Sequence, residues 1–272
     1  MQTKRATRAV INTVLTILGI LWLFPVLFTV FGSFKGRQEY RLGNFWDLPK
    51  ENLFGSNLIA VITSVGLGRS MISSFLYAFC GALFSAVIAA LAAYAISHLN
   101  IRHRTFWFLF IYSGTIFPFQ IYLIPVYKGY VQTHLYDTRF GMILFYTAIC
   151  IPFSMFVLHN FFIGISKEIC ESAKIDGCTN LQILTRIFIP IAKAPISIVF
   201  LTQFTWCWND LMFGLTFTKS PEIRSVMASI SLLGKDNVPV LLTGCLLASI
   251  PTIVFFFVLQ KNFETGFVYT SK

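Results

Sequence analysis

An all-α polytopic membrane protein with six transmembrane helices is the fold class this sequence predicts, on three observations. Of 272 residues, 56% are hydrophobic and only 12% are charged, about half the charged share of an ordinary soluble domain. The mean hydropathy is +0.72. The apolar residues gather into six runs, at 10–32, 71–96, 106–126, 140–165, 196–217 and 240–259, each near the roughly 20 residues a helix needs to cross a bilayer. No stretch between the runs is long enough to build a core of its own. The chain therefore reads as a single transmembrane domain over 1–272, and a water-soluble enzyme is excluded.

The first run follows a basic head with Lys4, Arg5 and Arg8. It is too long for the 7–15-residue apolar region of a secretory signal and no small-x-small cleavage site follows, so it predicts a first transmembrane helix with its N-terminus in the cytoplasm. In the third run, Pro118 and Pro125 bracket Gln120, and Pro152 lies midway along the fourth. Each proline removes a helix hydrogen bond and favours a kink. His159 and Asn160, near the end of the fourth run, are expected to hydrogen-bond a neighbouring helix. The fifth run contains Asp210, the one acidic residue inside an apolar run, beside Trp206, Trp208 and Asn209. A carboxylate in the membrane costs a few kcal/mol, so it is expected to face the bundle interior or water. Read as unpaired, it is a candidate for the substrate path, with the aromatic rings and the amide suited to a sugar. Otherwise it caps a helix that breaks near the interface. Gln120 is a weaker candidate for the same path.

The net charge is +10, from 21 Lys and Arg against 11 Asp and Glu. These cations are scattered between the apolar runs rather than gathered in a stripe, which points to loops at an anionic membrane surface and away from nucleic acid. An even number of spans puts both termini on one side. The basic residues divide almost equally between the two sides, so only the basic head favours the cytoplasm. None of the six cysteines forms a C-x-x-C pair or has a histidine at ligand spacing, and neither a disulfide framework nor a metal site is expected.

Between the fourth and fifth runs, 166–195 is amphipathic. Ser166 is placed to cap a helix starting at Lys167, with Glu168 in its first turn complementing the dipole. Ile169, Ala173 and Ile175 are expected to form its apolar surface, with Glu168, Glu171 and Lys174 facing water or a partner. Gly177 permits a sharp turn. A second helical stretch follows with Leu181, Leu184 and Phe188 on one face, ended or bent by Pro190. Periodicity alone allows a helix lying on lipid headgroups.

The residue pattern goes further. Glu171, Ser172 and Ala173, then three residues, Gly177, then nine residues, Ile187, and Pro190 three further on resemble the EAA motif of the permease subunits of binding-protein-dependent ABC importers. Ser172 stands where alanine is usual and Ile189 where leucine is usual. The resemblance covers nearly the whole chain and is to the carbohydrate-uptake branch, the smaller membrane subunit of maltose-type importers. Ala92, Ala93, Tyr94 and Ala95 resemble its A-A-Y-A signature, Pro118 and Pro125 its two-proline third helix, Asp176-Gly177 its D-G, Trp208-Asn209-Asp210 its W-N-D, and Gln260, Phe263 and Gly266 its C-terminal pattern.

The resemblance implies a type I importer permease fold and a multi-pass position in a bacterial or archaeal cytoplasmic membrane, with both termini and 166–195 in the cytoplasm. It implies a second homologous permease in a heterodimer, two cytoplasmic ATPase subunits, an extracytoplasmic solute-binding protein and a carbohydrate substrate. Glu171, Ser172, Ala173, Asp176, Gly177, Ile187 and Pro190 would then couple the chain to the ATPase. The chain has no G-x-x-x-x-G-K-[ST] loop and so no nucleotide site of that kind. It is expected to be non-catalytic and to bind no cofactor, ATP and magnesium being held by the partners. The loop at 219–239 is expected to reach toward the binding protein, although its apolar 226–233 segment is unlike a free connector. An ion-driven secondary transporter is the competing class. It would show inverted repeats and intramembrane ionisable relays, of which only Asp210 is present.

Overall fold

The computed structural model describes residues 2–44, 46–233 and 237–269, with side chains for 7–44, 46–233 and 237–260. Lys4, Arg5, Phe263 and Gly266 therefore lie outside the described side chains. Every regular element among the described residues is helical. Four helices are long and apolar enough to cross a membrane: α1 (Gln2–Phe34), α4 (Leu67–His98), α7 (Arg139–Phe162) and α14 (Val238–Tyr269). Short helices α2 (Arg37–Leu42) and α3 (Phe54–Val65) separate the first two.

The third and fifth runs are not single helices, and this corrects the continuous spans read from the sequence. In the third, α5 (Arg104–Tyr112) gives way through 3-10 turns at Ser113–Thr115 and Phe119–Tyr122 to α6 (Leu123–Gln132), across a bend of 85°. The two prolines play different parts. Pro118 forces the residue before it out of the helical region and is itself extended, at φ −56° and ψ 122°. Pro125 lies in the first turn of α6, where its missing N–H costs no helix bond. α7, by contrast, runs unbroken through Pro152.

The fifth run breaks at Asp210. Before it come α8 (Lys167–Ile175), α9 (Asn180–Ile183), a π-helical turn (Leu184–Phe188), α10 (Ile189–Ile191) and α11 (Lys193–Asn209); after it come α12 (Met212–Phe217) and α13 (Val226–Ser231). Asp210 is extended, at φ −70° and ψ 123°. The segments Asn180–Ile191 and Lys193–Asn209 meet at 80°, with Ala192 fully buried at the corner.

The chain divides into two compact units, Met1–Gly68 with Ser229–Ser249, and Arg69–Ala228 with Ile250–Lys272. In the first, Asn57 donates to the carbonyls of Ser33 (2.8 Å) and Lys35 (3.0 Å), and the Thr243 hydroxyl reaches Ser33 at 3.5 Å. The side chains of α1 from Val10 to Phe24 are exposed, as suits a helix surrounded by lipid or by a partner. In the second, α4 meets α7 through small residues. A Cβ added at Gly81 would sit 2.9 Å from the Cβ of Tyr146, and Ala82, Ala86, Ala89 and Ala93 are buried. Small side chains let membrane helices approach closely, where dispersion replaces the missing hydrophobic drive.

Candidate functional site

The 166–195 loop is a folded device. The Ser166 hydroxyl accepts from the Glu168 amide at 3.2 Å, as expected of an N-cap. At the other end of α8, the Gly177 amide donates to Lys174 at 3.0 Å and the Cys178 amide to Ala173 at 2.9 Å. These two bonds define a Schellman motif, in which the residue after the cap is left-handed. Gly177 has φ +79°, which glycine reaches at no steric cost. A Cβ built there meets nothing within 4 Å, so within this chain the turn needs glycine for its backbone and not for space. Thr179 and Gln182 then form a capping box at the start of α9, with bonds of 2.8 and 3.3 Å.

The buried face of α8 differs from the one expected. Cys170 and Ala173 are covered, whereas Ile175 is 87% exposed and Leu181 61% exposed. Helical geometry puts Cys170, Ala173 and the turn beyond on one side, and the Schellman turn carries Ile175 away from it. Burial pushes the Cys170 thiol upward, so it stays a protonated packing group. Glu171, Ser172, Asp176, Gly177 and Pro190 are exposed, Ile187 is half-buried and Ala173 is buried. The motif thus presents one carboxylate, small groups and two uncovered aliphatic side chains outward.

Inward, the loop is fastened to the helix ends. Phe188 is fully buried, its ring 5.0 Å from Tyr94, 4.7 Å from His98 and 5.2 Å from Phe162. Ile183, Leu184 and Ala192 join Ala89, Ala93, Leu158 and Val199 in the same buried cluster. His98 adds a 3.3 Å contact from Nε2 to the Ile165 carbonyl. Tyr94 of the A-A-Y-A stretch thereby holds the far end of the EAA stretch. Nothing in either motif announced that link, because it joins residues 94 positions apart.

Asp210 is not unpaired. Its carboxylate accepts from the Tyr146 hydroxyl at 2.9 Å and from the amides of Phe213 (3.1 Å) and Gly214 (3.0 Å). It caps α12 while fastening the break to α7, which corrects the reading of a lone carboxylate. Trp208 is 1% exposed and stacks on Phe204 at 5.9 Å. Asn209 is exposed and donates to the Thr205 carbonyl at 2.9 Å. Trp206 is half-buried among Phe119 (6.3 Å), Tyr146 (6.2 Å) and Phe213 (6.4 Å), and Gln120 is exposed on the turn that carries Phe119. Of the five candidate path residues, the structure brings Trp206 and Asp210 together around Tyr146 and separates Trp208 from them. Tyr146 and Phe119 were missed, because a tyrosine and a phenylalanine in apolar runs carry no distinguishing spacing.

The segment after α12 is pinned and is not a free connector. Asp137, left-handed at φ 55°, accepts from the amides of Lys219 (2.7 Å) and Ser220 (3.0 Å) and from the Ser220 hydroxyl (2.5 Å). Burial works against its charge, but these hydrogen bonds outweigh it and hold the carboxyl below its usual 3.8. Ser73 and Tyr77 of α4 donate to the carbonyls of Glu222 and Ile223, each at 2.8 Å, and the Ser74 hydroxyl accepts from Val226 at 2.7 Å. Among the described residues, no three His, Cys, Asp or Glu side chains group as metal ligands.

Broken apolar spans with a rigid, outward-facing loop at one end define a polytopic membrane transport subunit. The sequence matches the binding-protein-dependent transport system inner membrane component over residues 81–268, and the chain belongs to that family. It is 26% identical over 276 residues to the arabinooligosaccharides transport system permease AraQ of Halalkalibacterium halodurans, covering 97% of each chain. To the osmoprotective compounds uptake permease GgtD of Synechocystis it is 27% identical over 266 residues, 94% of this chain and 89% of that one. One chain in a crystal structure of a bacterial ABC transporter involved in the import of the acidic polysaccharide alginate superposes with a TM-score of 0.80, at 23% identity over 96% of this chain and 98% of that one. The all-α, type I importer permease fold is thus established.

Proposed function

We propose that the chain is one of two homologous permeases, paired as a heterodimer, of an importer for a sugar or oligosaccharide, and that it acts as a single transmembrane domain forming half of the path. It lies in the cytoplasmic membrane of a bacterium or archaeon, with both termini and 166–195 in the cytoplasm. Two ATPase subunits hold ATP and magnesium and do the catalysis; a solute-binding protein outside delivers the carbohydrate; this chain binds no cofactor.

The observation that carries the coupling role is the two-sided loop. Outward it offers Glu171, Ile175 and Leu181, an apolar pair beside a charge, which is what a groove on a partner accepts. Inward, Phe188 and Ile183 lock it to α4, α7 and α11, so a displacement of α8 is passed to the spans instead of being absorbed. The carbohydrate class rests on relatives such as the arabinooligosaccharide permease. Trp206, Gln120 and Asn209 face the path, and Asp210 shapes it by holding the break at α12.

Reconstitution tests this. Uptake of labelled oligosaccharide into proteoliposomes is expected to require ATP, the ATPase subunits and the binding protein, and Glu171→Lys is expected to abolish it by setting like charge against a basic partner. Uptake by the chain alone on an ion gradient overturns the proposal.

A further inference from the structure

Where the ends of α4, α5 and α7 approach the start of α8, a cavity of about 380 Å³ opens, and Arg104, Thr105, Phe108, His159 and Lys167 line it. That volume falls in the roughly 300–1,000 Å³ range of ligand sites. A neighbouring hollow shares Arg104 and Thr105, and no carboxylate lines either one. Two fixed cations without a counter-charge therefore face one space.

The polar groups around it are not equally committed. His98 uses both ring nitrogens, on the Ser97 hydroxyl at 2.8 Å and the Ile165 carbonyl at 3.3 Å. His159 stacks on Phe108 with ring centroids 4.4 Å apart, and its buried Nδ1 has no hydrogen-bond partner. A buried polar atom left so is costly and calls for an explanation. α5 begins without a side-chain cap, which leaves the positive end of its dipole at the same place. All four features ask for an anion with hydrogen-bond acceptors.

Position decides which anion. Arg104 and Lys167 are the first residues of α5 and α8, at the edges of apolar runs and so level with lipid headgroups. From this edge Phe106, Leu109 and Phe110 form an exposed face of α5, at 59%, 56% and 62% exposure, spaced as one side of a helix. We propose that the cavity binds the headgroup of an anionic phospholipid. Its phosphate pairs with Arg104 and Lys167 and accepts from Thr105 and His159, and its acyl chains lie along Phe106 and Phe110. Because Lys167 opens the helix assigned to coupling, bound lipid ties that helix to α5. The inference rests on the proposed function only for the leaflet that supplies the lipid.

The test is native mass spectrometry of the complete transporter released from membranes containing both phosphatidylglycerol and phosphatidylcholine. Wild type is expected to retain phosphatidylglycerol preferentially, and Arg104→Gln with Lys167→Gln to reduce retention about thirtyfold, from the attraction each basic residue adds at a membrane surface. Arg104→Lys with Lys167→Arg, which keeps both charges, is expected to retain it, as is Arg69→Gln at a distant exposed arginine; His159→Phe keeps the stack on Phe108 and weakens retention. Inorganic phosphate in excess is expected not to displace the lipid. Equal retention by the double glutamine variant, equal retention of phosphatidylcholine, or displacement by inorganic phosphate each overturns the assignment. Retention is read without ATP or sugar, so its failure leaves the transport reading standing, and failed transport leaves the lipid result standing.

Discussion

Gly177 offers a perturbation whose size follows from geometry. Its φ of +79° closes the Schellman turn, while a Cβ there meets nothing within 4 Å. Gly177→Ala therefore pays only for a left-handed L-residue, roughly 1–2 kcal/mol, which raises the open population of the turn roughly five- to thirtyfold. Gly177→Asn is expected to be nearly neutral, because asparagine tolerates this region, and Gly177→Val to be worst, because a branched side chain there is a true outlier. Hydrogen exchange at the Cys178 amide, which is bonded to Ala173, measures the opening directly, and coupled ATP hydrolysis in the complex measures its consequence. The expected order of damage in both assays is Asn, Ala, Val. If Asn disrupts coupling as much as Val does while exchange is unchanged, a partner's close approach governs the position and the backbone argument is refuted.

Asp210→Ala strands the Tyr146 hydroxyl and two amides, which should cost about 1–3 kcal/mol; the melting temperature and yield of the complex should fall, whereas unchanged melting with abolished transport would return Asp210 to the path. Phe188→Ala opens a void where three aromatic rings meet and should cost about 3–5 kcal/mol. Association with the ATPase through the outer face of α8 should survive while transport per ATP falls; wild-type coupling would refute the anchoring role. Asp137, with its pKa lowered by the Lys219 and Ser220 bonds, contributes stability that is complete above the unfolded carboxyl's titration and lost as pH falls through the lower folded value. Thermal melting of the wild type should therefore drop on acidification below about pH 4, and Asp137→Asn, which keeps the left-handed backbone, should flatten that drop; parallel curves refute the assignment.

The all-helical membrane class was legible because apolar run length is a one-dimensional property. So were the helix starts at Ser166 and Thr179 and the turn at Gly177, where a few adjacent residues decide the outcome. The break at Pro118 was half legible: proline announced a disturbance, but not that the chain would turn by 85°. Which face of α8 is buried was not legible, because Ile175 and Cys170 are both apolar and the choice is made by Phe162 and Ala89 from elsewhere in the chain. Asp210 misled for a similar reason. Its partner Tyr146 lies 64 residues away and lends its hydroxyl from an otherwise apolar helix.

The π-helical turn at Leu184–Phe188 holds one more residue than an α-helical turn would, and that surplus sets the phase of everything after it. Such turns arise as single insertions within α-helices and concentrate at working sites. Deleting one residue from it would let the ordinary winding return and rotate the following side chains by about 100°. Phe188 would leave its nest of rings, and the corner at Ala192 would point the fifth span elsewhere. The coupling loop and the helix it drives are therefore kept in step by a count: here the chain tolerates exchanges of side chain far better than a change of length.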